Sequence, residues 1–488
     1  MSAYQQQLSP AAPVAESGPA DAAVRWPVLF LLASSILWLL AGSVLALIAA
    51  IKLHTPGFLA DCEFLTYGRV HPAALNAFAY GWGVNAGLAV ALWLMARLSR
   101  ATLPGGGLLI VAGAFWNLGV KLGVLGILAG WSTSVPWLEM PHQVVPLLLV
   151  AYALAAAWVV GALRHGSSPR LYVSQWWLLV ALFSFPWLWA TAEAMLFFGP
   201  VRGTVQAIVA AWFAHGFLLL WFTPVALAIM YYLLPKLLGK PIRAYHLASF
   251  GFWAYVACAG WAGASRLLGA PVPAWTQAAG TVASLMLLAP LGVIAVNLFG
   301  TLFNGGMAAL ARSNVLRFVG MAALFFVLAL LRYAMMSLGA GTAIQLSWFA
   351  AASDYVVLYG VFSFAVFGAV YYLMPRLVRR AWPYASLIHA HFVCSALGFI
   401  LAGVALSLGG LKQAAELSRG VPFAEVTAHT MPALQLATVG GLILLVGHLV
   451  FAFHFVKLAF CPCVRARAAA APVPAELLRT APELEAAS

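Results

Sequence analysis

One histidine and four charged side chains stand where the chain is otherwise apolar, and these are the groups that could carry chemistry. His215 lies in the stretch AAWFAHGFLLLWFTPVALAIMYYLLPK, residues 210–236. A neutral imidazole offers a nitrogen donor of the softness that copper and iron accept. It can equally be a hydrogen-bonded core residue, and a single imidazole cannot hold a metal tightly. Lys121, Glu193, Arg332 and Asp354 are the charged residues inside apolar stretches. Each charge costs about 2.5–3.5 kcal/mol at mid-bilayer on insertion scales, so each is expected to face protein or water and to have a partner. Arg332 and Asp354 fall in neighbouring stretches joined by a short loop, so an Arg332–Asp354 pair is expected, and Lys121 with Glu193 offers a second. Such pairs either fix packing or line a path for protons or ions.

The elements that must position these groups follow from composition. The chain has 488 residues, 64% hydrophobic and 8% charged, with a mean hydropathy of +0.97. A soluble domain does not carry so little charge, so a polytopic membrane protein is expected. The net charge of +13 does not by itself point to nucleic acid. Crossing ~30 Å of hydrocarbon takes about 20 apolar residues. Twelve stretches qualify: 26–51, 72–96, 107–130, 144–163, 174–199, 206–234, 246–268, 276–302, 316–339, 347–374, 385–408 and 431–459. Backbone groups in lipid must be satisfied within the segment, so these are expected to be helices, forming an all-α bundle of twelve transmembrane helices.

With both termini on one side, that side collects seventeen Lys and Arg residues and the other only six: Lys52, Arg69, Arg202, Arg266, Lys412 and Arg419. The asymmetry predicts cytoplasmic termini. It leaves PGFLADCEFLTYGRVHP (56–72) and WSTSVPWLEMPHQ (131–143) outside. Residues 1–24 read as a disordered cytoplasmic tail, 25–460 as the membrane domain and 461–488 as a second tail. The five cysteines, Cys62, Cys258, Cys394, Cys461 and Cys463, suggest no disulfide framework. Cys461 and Cys463 could bind a soft metal or carry palmitate, and a structural role is the simpler reading. The nineteen tryptophans read as interfacial belts. The basic RLVRR (376–380) reads as a headgroup-facing loop, and LPGGGLLI (103–110) as a loop-to-helix joint with no nucleotide motif.

Several stretches resemble subunit I of the cbb3-type haem–copper cytochrome c oxidases. WFAHG followed by MYYLLPK is similar to that family's sixth helix, W-Y-G-H-N and then M-Y-Y-F-V-P-K. YGRVHPAALNAFAYGWGVNAG (67–87) resembles its second helix, WAGASRLLGAPVPAWTQAAG (261–280) its seventh-to-eighth connection, and NVLRFVGMAALFF its ninth helix. GAVYYLMPRL (368–377) resembles the tenth helix and HFVCSALG (391–398) the eleventh. The resemblance extends over nearly the whole chain. It implies a bacterial inner membrane location and a twelve-helix core with cytoplasmic termini.

The resemblance also implies haem b and copper, held by six histidines on helices 2, 6, 7 and 10. Carried over residue by residue, the helix-2 ligand falls on Ala74. The helix-7 His-His pair falls on Ser265 and Arg266, and the helix-10 His-x-His on Ser353–Tyr355. The helix-7 tyrosine falls on Ala259 and the ninth-helix glutamate on Arg332. His215 alone stands at a copper-ligand position. His71, His389, His391, His448 and His454 lie one turn away or on the wrong helices, and Met335 and Met336 have no evident partner ligand. The expectation is therefore that no haem–copper centre forms.

Two absent haems would leave space, and a cavity costs roughly 24 cal/mol per Å³. Arg266, Arg332, Asp354, Tyr355 and Tyr359 are expected to fill it as a polar plug beside His215. The function implied is a cofactor-depleted, non-catalytic component of a respiratory membrane complex, beside a membrane-anchored c-type cytochrome or another respiratory subunit. Two alternatives are an active terminal oxidase or nitric-oxide reductase with displaced ligands, and a proton or ion conduit through Lys121, Glu193, Arg332 and Asp354.

Overall fold

Hydrocarbon forces the chain to satisfy its own backbone groups, and each apolar stretch does so as a helix. The computed structural model describes residues 19–460 apart from 103–104, 169–170, 305–306 and 339–340. Twelve helices are long and apolar enough to span: α1 (Ala20–His54), α2 (Tyr67–Ser99), α3 (Gly106–Leu128), α4 (His142–Arg164), α5 (Val173–Phe198), α6 (Thr204–Leu238), α7 (Tyr245–Leu267), α8 (Ala274–Phe303), α9 (Asn314–Met336), α10 (Trp348–Val378), α11 (Ala385–Ser418) and α12 (Phe423–Phe460). Each coincides with one expected stretch, and there is no strand among the described residues. The all-α, twelve-helix bundle is the fold. Cys461, Cys463, Arg170 and most of both tails lie outside the described residues.

Three helices form the interior. Residues 79–96 of α2, 213–235 of α6 and 356–374 of α10 are buried without interruption. A helix that is apolar all round belongs in a core, and the other nine keep one face outward. Each inner helix also widens into a π-helical stretch: Ala77–Val84, Leu218–Phe222 and Val356–Ser363. These begin three residues after Ala74, His215 and Ser353 respectively.

The tryptophan-belt expectation needs correction. Trp82, Trp93, Trp116, Trp177, Trp189 and Trp221 are fully buried. Tyr80, Phe185, Trp189 and Phe217 pack with ring centroids 4.9–6.4 Å apart. Large rings supply the volume needed between inner helices, which competes with their preference for the interface.

At one end of the bundle, Asp21 pairs with Arg97 (2.9 Å) and accepts from Trp93 Nε1 (2.9 Å), while Arg97 Nε donates to Tyr232 (3.0 Å). The start of α1 is thus tied to the ends of α2 and α6. The helix begins at Ala20, so the expected tail boundary after residue 24 falls inside it, and Asp21 in its first turn is buried. On the periphery α11 and α12 touch backbone to backbone. A Cβ on Gly398 would stand 2.7 Å from Gly440 O, and one on Gly440 equally close to Gly398 O. Small residues allow such contact where no hydrophobic driving force separates helix from lipid.

Candidate functional site

Where α2, α6 and α10 begin, and α7 and α9 end, polar side chains converge. α7 closes in a 3₁₀ turn, Gly263–Leu267. Gly263 lets this turn approach α6: an added Cβ would stand 3.1 Å from His215 Cβ and from Trp212 Cα. The turn directs Arg266 inward. Its Nε donates to His215 Nδ1 (3.3 Å), its Nη1 donates to Asp354 Oδ2 (3.0 Å), and its Nη2 bonds Asp354 Oδ1. Tyr333 OH donates to the same carboxylate (3.0 Å), and its ring meets the His215 ring edge-on at 4.8 Å. With Nδ1 accepting, His215 carries its proton on Nε2, which is buried with no partner among the described residues.

The expected Arg332–Asp354 pair is not what forms. Arg332 donates to Ser353 Oγ (3.0 Å), Ser407 Oγ (2.9 Å) and Phe349 O (3.1 Å), and its guanidinium lies 3.8 Å from the Phe349 ring centroid. The reason is helical phase, since successive residues point about 100° apart at 3.6 per turn. On α9, Tyr333 rather than Arg332 faces Asp354. On α10, Ser353 faces Arg332, Asp354 faces Arg266, and Tyr355 turns away from the cluster into a cavity. Tyr333, which the sequence reading missed, takes the place expected of Tyr355.

Lys121 and Glu193 do not pair either. Lys121 is exposed on the outward stripe of α3 with Phe115, Leu118, Leu122 and Leu125, whereas Trp116, Val120 and Val124 face inward. Glu193 is buried on α5, where Oε1 accepts from Trp189 Nε1 (3.3 Å) and Oε2 has no partner among the described residues. Another buried acid, Glu139, lies in the loop between α3 and α4 and accepts from Asn76 Nδ2 (2.8 Å). Burial pushes its carboxyl up to about 7, against the opposing pull of the Asn76 bond.

The expectation that side chains fill the space is half corrected. The Arg266–Asp354–Tyr333 cluster fills the region beside His215, but a cavity of about 230 Å³ persists between α1, α2, α10, α11 and α12. Ala74, Tyr355 and Tyr359 line it, together with His71 and His448. His448 bonds Ser43 Oγ through Nδ1 and Tyr359 OH through Nε2, both at 2.7 Å.

These residues do not fit a bis-imidazole haem or a three-histidine copper. Ala74 has no donor atom, both nitrogens of His448 are engaged, and His71 stands alone, stacked on Tyr67 at 5.3 Å. Beside His215 a guanidinium faces Nδ1, where it would repel a metal cation. Among the described residues no three His, Cys, Asp or Glu side chains converge as a metal site.

Comparison with known proteins gives the frame for this geometry. A match to the family described as Cytochrome C and Quinol oxidase polypeptide I spans residues 27–443. The chain is 27% identical over 409 residues to a cytochrome c oxidase subunit 1 homolog of Agrobacterium tumefaciens (strain T37), covering 80% of this chain and 76% of that protein. It is 25% identical over 427 residues to the cbb3-type cytochrome c oxidase subunit CcoN1 of Stutzerimonas stutzeri, covering 83% and 88%. To cytochrome c oxidase subunit 1 of Rhodobacter capsulatus it is 27% identical over 415 residues, covering 80% and 76%.

Proposed function

The chain belongs to the Cytochrome C and Quinol oxidase polypeptide I family, and from that premise we propose that it is a subunit I-like membrane component of a respiratory complex that works without the family's redox centres. One observation carries this reading. The Arg266 guanidinium lies against His215 Nδ1, and its charge is taken up by Asp354. A guanidinium bonded to Nδ1 takes that nitrogen from any metal and adds a repulsive term to a second cation at the same imidazole. Ala74, Ser265, Ser353 and Tyr355 at the other ligand positions support the same conclusion.

The protein sits in the bacterial inner membrane with both termini in the cytoplasm, a proposal supported by seventeen basic residues on one side against six on the other. Its role is structural: it presents a rigid twelve-helix surface to other respiratory subunits, a membrane-anchored c-type cytochrome among them.

The test is an optical spectrum and metal analysis of protein purified from its native membrane. The expected result is no reduced-minus-oxidised Soret or α-band and no stoichiometric iron or copper. Haem at one or two per chain would establish the competing reading, an oxidase or nitric-oxide reductase with displaced ligands. A conduit role is tested by proton flux in liposomes, with wild-type rates no higher than those of an Asp354→Asn variant.

A further inference from the structure

α3 turns one row of side chains away from the bundle. Val111, Phe115, Leu118, Leu122 and Leu125 recur every three or four residues and are 45–52% exposed, so they form a single outward stripe. Lipid covers such a stripe readily. Lys121 is the exception within it: the residue is exposed, and no acidic side chain among the described residues pairs with its ammonium. The helix ends at Leu128, about 10 Å further along its axis. A lysine stem carries its charge toward the headgroups, but it crosses only part of that depth. A charge inside a span normally faces protein and has a partner.

Where the stripe ends, a groove of about 770 Å³ opens between the end of α3, residues 131–133 and the start of α4. Leu122 and Leu125 belong to both stripe and groove, and Ser132, Thr133 and Gln143 add polar groups at its outer end. A helix lying along the stripe would end there, where its terminal backbone groups need partners.

Charge selects the occupant. A second copy of this chain, meeting the stripe with its own, would set Lys121 against Lys121. Its other faces offer no carboxylate at this depth within the described spans. Asp21 and Glu193 are buried, Asp354 is bound by Arg266, and Glu416 and Glu425 lie in the terminal turns of α11 and α12. We propose that the stripe docks one transmembrane helix of a different chain, which carries a carboxylate that pairs with Lys121 inside the bilayer and seats its outer end in the groove. Apolar faces are already satisfied by lipid, so a polar contact between helices is what distinguishes this partner from its surroundings. Outside a complex the stripe faces lipid. This proposal rests on the reading of the chain as a component of a complex, and it adds the face and the chemistry of one contact.

The test uses the full chain in its native membrane. A photoreactive phenylalanine analogue replaces Leu118 or Leu125, with Leu397 on the outward face of α11 as control. Products are purified through a tag on this chain and mapped by mass spectrometry. The same protein should be captured from Leu118 and Leu125 and not from Leu397, through an apolar segment that contains an Asp or Glu. Lys121→Leu should lower its recovery about tenfold, in the range of one polar contact between helices, and Lys121→Arg should retain it. Lys121→Asp combined with a lysine in place of the partner's acid should restore the recovery that either change alone removes. Thermal melting checks the fold of each variant, and the charge exchange keeps the test open if Lys121→Leu does not fold. Cross-links to lipid alone, to a second copy of this chain, to a helix without an acid, or equally from Leu397 would overturn this proposal and leave the functional reading standing. Recovery unchanged in Lys121→Leu would do the same. A wild-type chain that leaves its native membrane with no other protein bound would overturn both.

Discussion

Arg266 and Asp354 form a two-pronged ion pair that joins the end of α7 to the start of α10, with Arg266 Nη1 to Asp354 Oδ2 at 3.0 Å. The same guanidinium donates to His215 Nδ1, so one side chain anchors two helices and occupies one of the two imidazole nitrogens. Breaking a buried pair from one side leaves the other charge uncompensated. Arg266→Ala and Asp354→Ala are each expected to destabilise the protein by about 3 kcal/mol. The double variant Arg266→Met/Asp354→Leu should lie near wild type. Thermal melting in detergent measures this, and additive single-variant losses would contradict it.

Arg332 tests the corrected pairing. A double-mutant cycle between Arg332 and Asp354 should give a coupling below about 0.5 kcal/mol, while Arg266 with Asp354 gives several times more. Arg332→Leu alone should cost about 1.5–3 kcal/mol, the range for hydrogen bonds to a charged group. Ser407→Ala in the Arg332→Leu background should then add little.

Glu139 predicts a pH dependence. Its folded carboxyl sits at about 7 against an ordinary 4.5, so folding favours the neutral form. The stabilisation is fully present below about 4.5 and is lost as pH rises through about 7. Melting temperature should therefore fall more steeply across that range in wild type than in Glu139→Gln. Parallel curves for the two proteins would show that Glu139 does not titrate there.

Lys121 and Glu193 are expected to behave independently. Lys121→Leu removes a charge from a lipid-facing stripe, so its melting temperature should equal or exceed that of wild type. Glu193→Gln should have the same effect with or without Lys121. A coupling above about 0.5 kcal/mol would restore the ion pair expected from sequence.

Much was legible in the sequence. Twelve apolar stretches, the basic asymmetry of the loops and the motif around His215 led to the number of spans, the bundle and the family. The residues on which the family resemblance sets its ligand positions were equally readable, because an alanine or serine side chain has no imidazole wherever it lies. Beside His215 the expected Arg332–Asp354 pairing is replaced by Arg266 with Asp354. Proximity along the chain favoured Arg332 for Asp354, and the single signal for Arg266 was a cation falling on a histidine position.

What the sequence determined by itself is whatever depends on composition and one-dimensional periodicity: hydrocarbon selects for apolar length, and a missing donor atom is missing in any fold. What only the tertiary structure decided is direction and volume. Whether Arg332 or Tyr333 faced Asp354 turned on a rotation of about 100° between neighbours. Whether Lys121 met protein or lipid turned on which stripe of α3 packed inward. Whether space remained beside Ala74 turned on how five helices, distant in sequence, settled against one another. Those outcomes are set by packing among all the helices at once, and no single segment carries them.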